Sequence, residues 1–365
     1  MKPLRVAIVH DWLVGGGAER VVYELHTLYP NAPIYTSYCT EEWRKKLHNK
    51  VVTGFLQRWP FGALRKFIGP LRIWWFTHLD LSAYDLVISS SGNGEAKGIK
   101  VPKGTTHICY CHSPTHYYWR HYDQYLAHPG FGVFNPLVRF SLKFLVGPLR
   151  QWDLKASKRP AHFIANSTHI KADIKQYYNR DATVIHPPVD IARFTVPAPA
   201  ERTGFVTSGR QVPMKRTDII VEACTRLNLP LTVIGRGPDH KRLVALAGPS
   251  VTFLTNVTDE EMPHHLAKAK AFLFASFEDF GITPVEAMAA GTPVIALKAG
   301  GALDYVEPGI TGSFFTEQTV DSLVNALTSF DTTTYKAHVI QAKAARFSPA
   351  AFHKAIRAFI TELQA

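Results

Sequence analysis

The sequence predicts two doubly wound α/β domains in tandem, each a parallel sheet covered by helices on both faces. Three observations predict it. Short β-branched runs alternate with amphipathic helical stretches. Two proline clusters interrupt that alternation near the middle of the chain. Finally, 365 residues at 46% hydrophobic content supply enough apolar side chain for two cores.

In the first half the sequence reads as strand over 5–10, helix over 18–29, strands over 86–89 and 107–111, strand over 163–165, helix over 169–177 and strand over 182–186. The strands are short apolar runs, as a sheet buried on both faces requires, and the helices space their apolar residues by three and four. Pro187-Pro188 and Pro197-Ala198-Pro199 remove backbone donors and mark the linker. A second series follows: strand 203–207, helix 218–227, strand 231–234, helix 240–247, strand 251–254, helix 259–268, strand 271–275, helix 284–290, strand 293–296 and a sheet return near 312–315. One more amphipathic helix is predicted over 349–363. The expected domains are therefore 1–188 and 189–345, with a helical segment 346–365 packing back on the first domain. Such domains are expected to face each other across a cleft at the carboxyl ends of their strands, where open α/β sheets bind ligands.

The formal net charge of +12 admits a polyanionic partner without choosing among nucleic acid, anionic lipid and a phosphorylated substrate. No nucleic-acid-binding module is recognisable. Cys39, Cys109, Cys111 and Cys224 are too unevenly spaced for a disulfide framework, and the Cys109-x-Cys111-His112 string lacks the second pair of a zinc site. A reducing compartment is expected. Residues 1–10 have no signal-peptide form. The most apolar windows, around 73–76 and 137–149, are interrupted by Arg or Lys and fall short of the roughly 18 residues a spanning helix needs.

Glu278-Asp279-Phe280-Gly281-Ile282-Thr283-Pro284-Val285-Glu286 places two glutamates around a glycine turn, with a proline where a helix would start. Backbone N–H groups at such a start face an anion. Glu286, expected in the first turn, could accept hydrogen bonds from vicinal hydroxyls or simply be a favourable first-turn acid. Gly209-Arg210-Gln211-Val212-Pro213-Met214-Lys215-Arg216 puts cations directly after a strand. An arginine fork and a lysine point charge suit a leaving diphosphate; a solvated loop is the bland alternative. Gly15-Gly16-Gly17-Ala18-Glu19-Arg20 lets the backbone approach a ligand, but lacks the last glycine of the dinucleotide fingerprint. His112, at a strand end before Ser113-Pro114, faces the expected crevice or is structural.

Taken in order along the chain, the Gly-Gly-Ala-Glu-Arg loop, His112-Ser113-Pro114, Pro187-Pro188-Val189-Asp190-x-x-Arg193-Phe194, the Arg210 and Lys215 pair, Gly235-x-Gly237-Pro238 and the Glu278 to Glu286 motif resemble glycosyltransferase family four. The resemblance implies a GT-B fold of two Rossmann-like domains and a retaining, metal-independent hexosyl transfer from a nucleotide sugar. The Pro-Pro-Val-Asp and Glu-Asp-Phe-Gly-Ile forms resemble mannosyltransferases that use GDP-mannose, with a UDP-sugar as the alternative donor. By the same resemblance, Gly16 and Gly17 would contact the donor diphosphate, with Arg210 and Lys215 gripping it. Glu278 and the backbone of Phe280, Gly281 and Ile282 would hold the transferred sugar, and Glu286 the ribose. Thr255, Asn256 and Val257 would flank the base. His112, with Glu278 the expected catalytic pair, would sit against the sugar's C6 hydroxyl or the reacting centre, positioning rather than attacking. No cofactor is expected, since the nucleotide sugar is a substrate. No metal is expected either, because the chain lacks the Asp-x-Asp of metal-dependent GT-A transferases.

Residues 51–79 contain no acid, yet interleave Arg58, Arg65, Lys66 and Arg72 with Phe55, Trp59, Phe61, Phe67, Trp74, Trp75 and Phe76. A second stretch, 124–152, sets Arg139, Lys143 and Arg150 among Phe140, Leu142, Phe144 and Leu145. Both have the composition of interfacial segments, although plain core packing fits the aromatics too. Peripheral contact with the anionic inner face of the cytoplasmic membrane, and a lipid-linked or glycan acceptor, are expected. The rival readings are another enzyme on this scaffold and a non-catalytic bilobed sugar-binding protein.

Overall fold

The computed structural model describes residues 4–65, 67–127, 132–197, 199 and 201–364. Lys66 and Ala198 of the predicted segments lie outside the described residues. The chain divides into two compact units, Met1–Pro187 and Pro188–Ala365.

The first unit holds β1 (Val6–His10), β2 (Ile34–Thr36), β3 (Val51–Val52), β4 (Leu86–Ser91), β5 (Thr106–Cys111), β6 (His162–Ala165) and β7 (Thr183–Val184). They form a parallel sheet of order β3-β2-β1-β4-β5-β6-β7. All five residues of β1 are buried, because helices cover both faces. Ala7, Val9 and Val87 pack with Trp75 and Phe76 in one cluster, while Cys109, Cys111, Phe163 and Ala165 pack with Ile170 and Ile174 in another. Cys109 and Cys111 thus serve as small core residues.

The second unit holds β8 (Phe205–Ser208), β9 (Leu231–Ile234), β10 (Val251–Leu254), β11 (Ala271–Phe274), β12 (Val294–Leu297) and β13 (Gly312–Phe315), also parallel, in the order β10-β9-β8-β11-β12-β13. The Pro187-Pro188-Val189-Asp190 motif is structural here. Val189 and Phe194 are fully buried, and Asp190 caps the short helix Ile191–Phe194 by accepting from Arg193 N.

Two predicted helix starts move. The helix predicted from 259 begins at Met262, because Thr258 and Glu261 first exchange reciprocal bonds at 2.9 and 3.2 Å. The helix predicted from 284 is Ile282–Ala289, opened by Gly281 at φ 87°. Glu286 consequently sits in the second turn rather than the first, so the first-turn dipole argument does not apply to it.

One polar cluster in the first unit is wholly internal. Asp153, in the helix Asn135–Ala156, accepts from Lys97 Nζ, from Thr115 Oγ1 at 2.8 Å, from Trp119 Nε1 at 2.8 Å and from the Tyr178 hydroxyl at 2.7 Å. Lys97 and Asp153 are both buried, so the pair persists only because the carboxylate has every lone pair engaged.

Candidate functional site

In each sheet the chain winds outward in both directions from adjacent strands that are not consecutive in sequence. Those places are β1 beside β4 and β8 beside β11. Loops leaving such a switch point diverge and open a crevice at the carboxyl ends of the strands.

In the second unit, β8 ends in Gly209 and Arg210, runs through the 3₁₀ turn Pro213–Lys215, and passes Arg216 in a left-handed conformation into the helix Thr217–Arg226. β11 ends in the turn 275–281 that leads into the helix Ile282–Ala289. Because β8 and β11 are neighbours, the two loops meet. Lys215 Nζ pairs with the Glu278 carboxylate, and Ser276 Oγ donates to the Lys215 carbonyl at 2.9 Å. Both partners of the ion pair remain partly open, with side-chain exposures of 35% and 25%. Arg210 is exposed and has no ion pair among the described residues. Arg216, by contrast, is held by Asp218 at 3.2 Å and by Gln318 at 3.3 Å, so it is structural.

Close backbone packing fixes these loops. A Cβ on Gly235 would come within 2.2 Å of the Gly209 carbonyl oxygen, and one on Gly237 within 2.0 Å of the Gln211 carbonyl oxygen. Gln211 itself is buried, its Nε2 donating to Gly235 O at 2.9 Å and its Oε1 lying 2.7 Å from His240 Nδ1. Next along the rim, Arg236 Nε donates to Thr255 O at 2.6 Å. Thr255 and Asn256 are exposed and Val257 half-buried at the end of β10.

Gly281 lies against Phe274 and Tyr305, with room for no side chain. Phe280 is buried against Tyr305 and Phe347, so only its backbone is available to a ligand; Ile282 is half-buried and Glu286 buried. Sequence reasoning missed the loop after β12. Gly301 N donates to Glu278 O at 2.9 Å, and a Cβ on Gly301 would approach Phe280 Cα to 2.3 Å. A glycine pair directly behind a buried strand was the available signal.

In the first unit, Gly16 is the N-cap of the helix Gly17–Leu28, and both glycines are exposed. The buried Glu19 carboxylate accepts from Val14 N at 3.2 Å and Gly15 N at 2.9 Å, which shapes the loop. Asp11, also missed, ties β1 to the loop after β4. Its carboxylate accepts from Gly92 N and Asn93 N at 2.8 Å and from Ala96 N at 2.7 Å.

His112 follows β5, with Nε2 2.7 Å from Ser90 Oγ. His10 Nδ1 lies 2.8 Å from Ser90 O. A carbonyl only accepts, so His10 carries its proton on Nδ1, which leaves the Ser90 hydroxyl free to donate to His112. Burial first, and then neighbouring His10, pushes His112 down to about 3. His112 is thus a neutral hydrogen-bonding imidazole near pH 7.

Of the predicted interfacial cations, Arg72 is misassigned. It is buried, donates to Glu95 at 2.6 Å and lies over the Trp12 ring. Trp75 and Phe76 are core, whereas Trp59, Phe67 and Trp74 are exposed. Arg150 donates to Tyr118 O at 2.6 Å, and Arg139 Nε to Leu126 O at 3.0 Å. On the helix Asn135–Ala156, however, Leu137, Phe140 and Phe144 share one face at 63%, 62% and 67% exposure beside exposed Lys143. No helix among the described residues is long and apolar enough to cross a membrane.

The profile "Glycosyltransferase Family 4" matches residues 15–193, and "Glycosyl transferases group 1" matches 189–347. The chain belongs to glycosyltransferase family four. Among curated members, a D-inositol 3-phosphate glycosyltransferase of Salinispora arenicola is 31% identical over 189 residues, which is 41% of this chain and 42% of that protein. A GDP-mannose-dependent alpha-(1-6)-phosphatidylinositol monomannoside mannosyltransferase of Mycobacterium tuberculosis is 33% identical over 171 residues, 39% of this chain and 44% of that protein. The matches thus span less than half the length of these relatives. Among solved members of the fold, Anabaena HepE in complex with UDP superposes with a TM-score of 0.71 at 19% identity, covering 98% of this chain and 100% of that one. Sucrose-phosphate synthase from Thermosynechococcus elongatus gives 0.69 at 16% identity over 99% of each chain. These likenesses show the GT-B fold.

Proposed function

We propose that this family-four protein transfers a hexose, with retention of configuration, from a nucleotide sugar to a lipid-linked or glycan acceptor in cell-surface polysaccharide or glycolipid assembly. The observation that carries this reading is the pairing of Lys215 with Glu278 at the switch point of the second sheet. It sets a cation suited to a diphosphate beside a carboxylate suited to sugar hydroxyls. Arg210 and Lys215 stabilise charge on the departing diphosphate. In the first unit, the family resemblance gives the backbone N–H groups of Gly16 and Gly17 the role of diphosphate donors. Glu278 and the backbone of 280–282 orient the sugar, and Glu286 the ribose. Neutral His112 positions the sugar at the reacting centre. Thr255, Asn256 and Val257 line the base.

GDP-mannose is the favoured donor, supported by the mannosyltransferase-like motifs and by the GDP-mannose-dependent relative. A UDP-hexose is the second reading, supported by the HepE complexes with UDP and with UDP-glucose. The inner membrane face is the proposed site of action, supported by the exposed apolar and basic face of the helix Asn135–Ala156.

A thermal-shift screen against GDP-, UDP- and ADP-sugars tests the activity class. A ligand at 100 times its Kd stabilises by about 2.7 kcal/mol, which raises Tm by roughly 5–10 °C for a domain of this size. If no nucleotide or nucleotide sugar moves the transition, the reading is lost. Turnover in EDTA tests metal independence, and complete inhibition by chelator ends that part.

A further inference from the structure

We propose that the Tyr305 hydroxyl is a positioning group of the donor site, held in reserve in the free protein and donated to the Glu278 carboxylate once Lys215 is drawn onto the donor diphosphate. This rests on the donor site assigned above, in which Lys215 and Glu278 serve different parts of one ligand.

Tyr305 is fully buried, packed edge-on against Phe280 at 5.6 Å and against Phe347 at 6.5 Å. Its hydroxyl is buried without a hydrogen-bond partner among the described residues. Such a group destabilises the state that contains it, and a phenylalanine would fill the same space without that cost. The hydroxyl is therefore best accounted for by a second state in which it is used.

Its location says which state. The hydroxyl lies against Gly281, where a Cβ would come within 2.9 Å of it, in the turn that joins Glu278 to the helix Ile282–Ala289. Burial, then the charge of Glu278, then that of Asp304 lift the phenol well above its ordinary range, so it stays a proton donor at every physiological pH.

In the free protein the Glu278 carboxylate is already engaged by Lys215. A diphosphate carries more negative charge than one carboxylate and competes for the ammonium. Once Lys215 turns to it, Glu278 needs a replacement donor, and the Tyr305 O–H is the unused one beside the turn. The exchange leaves one carboxylate oxygen fixed from below and the other free to accept from the sugar. Lys215 and Glu278 thereby change partners together, which couples diphosphate binding to sugar orientation.

The test compares Tyr305→Phe in two backgrounds, the natural chain and Lys215→Met. In the natural chain the substitution removes an unsatisfied hydroxyl, so Tm of the free protein rises by roughly 2–4 °C. With Lys215→Met, Glu278 is released and Tyr305 already serves it, so the same substitution lowers Tm by a similar amount. A merely structural role for Tyr305 gives the same sign and size in both backgrounds, and that result overturns the proposal. In parallel, Tyr305→Phe in the natural chain should weaken GDP-mannose or UDP-glucose, whichever binds, about tenfold, or about 1.4 kcal/mol. Unchanged affinity also overturns it. The sign comparison needs no ligand. A protein that binds no nucleotide sugar but shows the reversal would lose the assigned activity and keep the partner exchange.

Discussion

Lowering the pH from 7 to 5 should remove stability from the first unit by an amount its buried histidines set. His107 in β5 is 1% exposed, with Nε2 2.9 Å from Ser89 Oγ. Burial pushes it down to about 3. Burial and His10 bring His112 to about 3, and burial and His121 bring His116 to about 4. Each folded-state value is below the roughly 6.5 of an unfolded chain. The unfolded chain therefore takes up protons that the folded one refuses, and stability present above pH 6.5 is lost as pH falls toward 3 or 4. At about 1.4 kcal/mol per pH unit over about 1.5 units, each histidine costs about 2 kcal/mol at pH 5.

Glu95 works in the opposite direction. Its burial, only partly offset by Arg72, raises the carboxyl to about 6, so the folded state gains a proton first and recovers about 1 kcal/mol. The net loss is about 5 kcal/mol, which lowers Tm by roughly 10–20 °C for a domain of this size. Urea unfolding at pH 7, 6 and 5 reads it directly. His107→Gln, which keeps an acceptor for Ser89, should recover about 2 kcal/mol of the drop. A folding free energy that stays flat within about 1 kcal/mol between pH 7 and 5 would refute the reasoning.

Three further outcomes are expected. Lys215→Ala should weaken GDP or UDP about ten- to 150-fold in calorimetric titration, the worth of a charge-assisted hydrogen bond; undiminished affinity would remove Lys215 from the diphosphate site. Gly301→Ala forces its Cβ to within 2.3 Å of Phe280 Cα, a backbone atom that cannot swing aside. It should cost about 1–3 kcal/mol in urea unfolding and weaken nucleotide binding as the Glu278 turn shifts, whereas a natural midpoint would show that the two loops separate freely. Phe140→Glu with Phe144→Glu should abolish flotation with anionic liposomes at low salt while leaving nucleotide binding intact, and retained flotation would move the membrane contact elsewhere.

Much of the fold was legible because parallel strands buried on both faces, such as β1, β11 and β12, are short apolar runs, a pattern that survives in one dimension. β2 and β3 were missed because Ile34–Thr36 and Val51–Val52 are too short to show any period. The helix Val320–Thr328 also escaped, although its Thr319 cap accepts from Ser322 N. At the site, Lys215 and Glu278 could be nominated from residue type and from their place after strands. Their pairing depends on β8 lying beside β11, which no local signal encodes. Arg72 was misread for a similar reason. Its partner Glu95 lies on the loop after β4, and a buried guanidinium has the same sequence signature as an exposed one. Asp11 gave no signal because its role is to accept backbone N–H groups, and those have no residue identity.

Gln211 carries a consequence for how a ligand would be met. Its amide and its backbone lock the loops after β8 and β9 together, so their conformational entropy is surrendered while the chain folds. An arriving anion has little left to freeze beyond the side chain of Arg210, which stands on a rigid base with its own rotamers still open. Changes at the outer rim, around Thr255 and Asn256, can then alter which base is accepted without loosening the cations beside it.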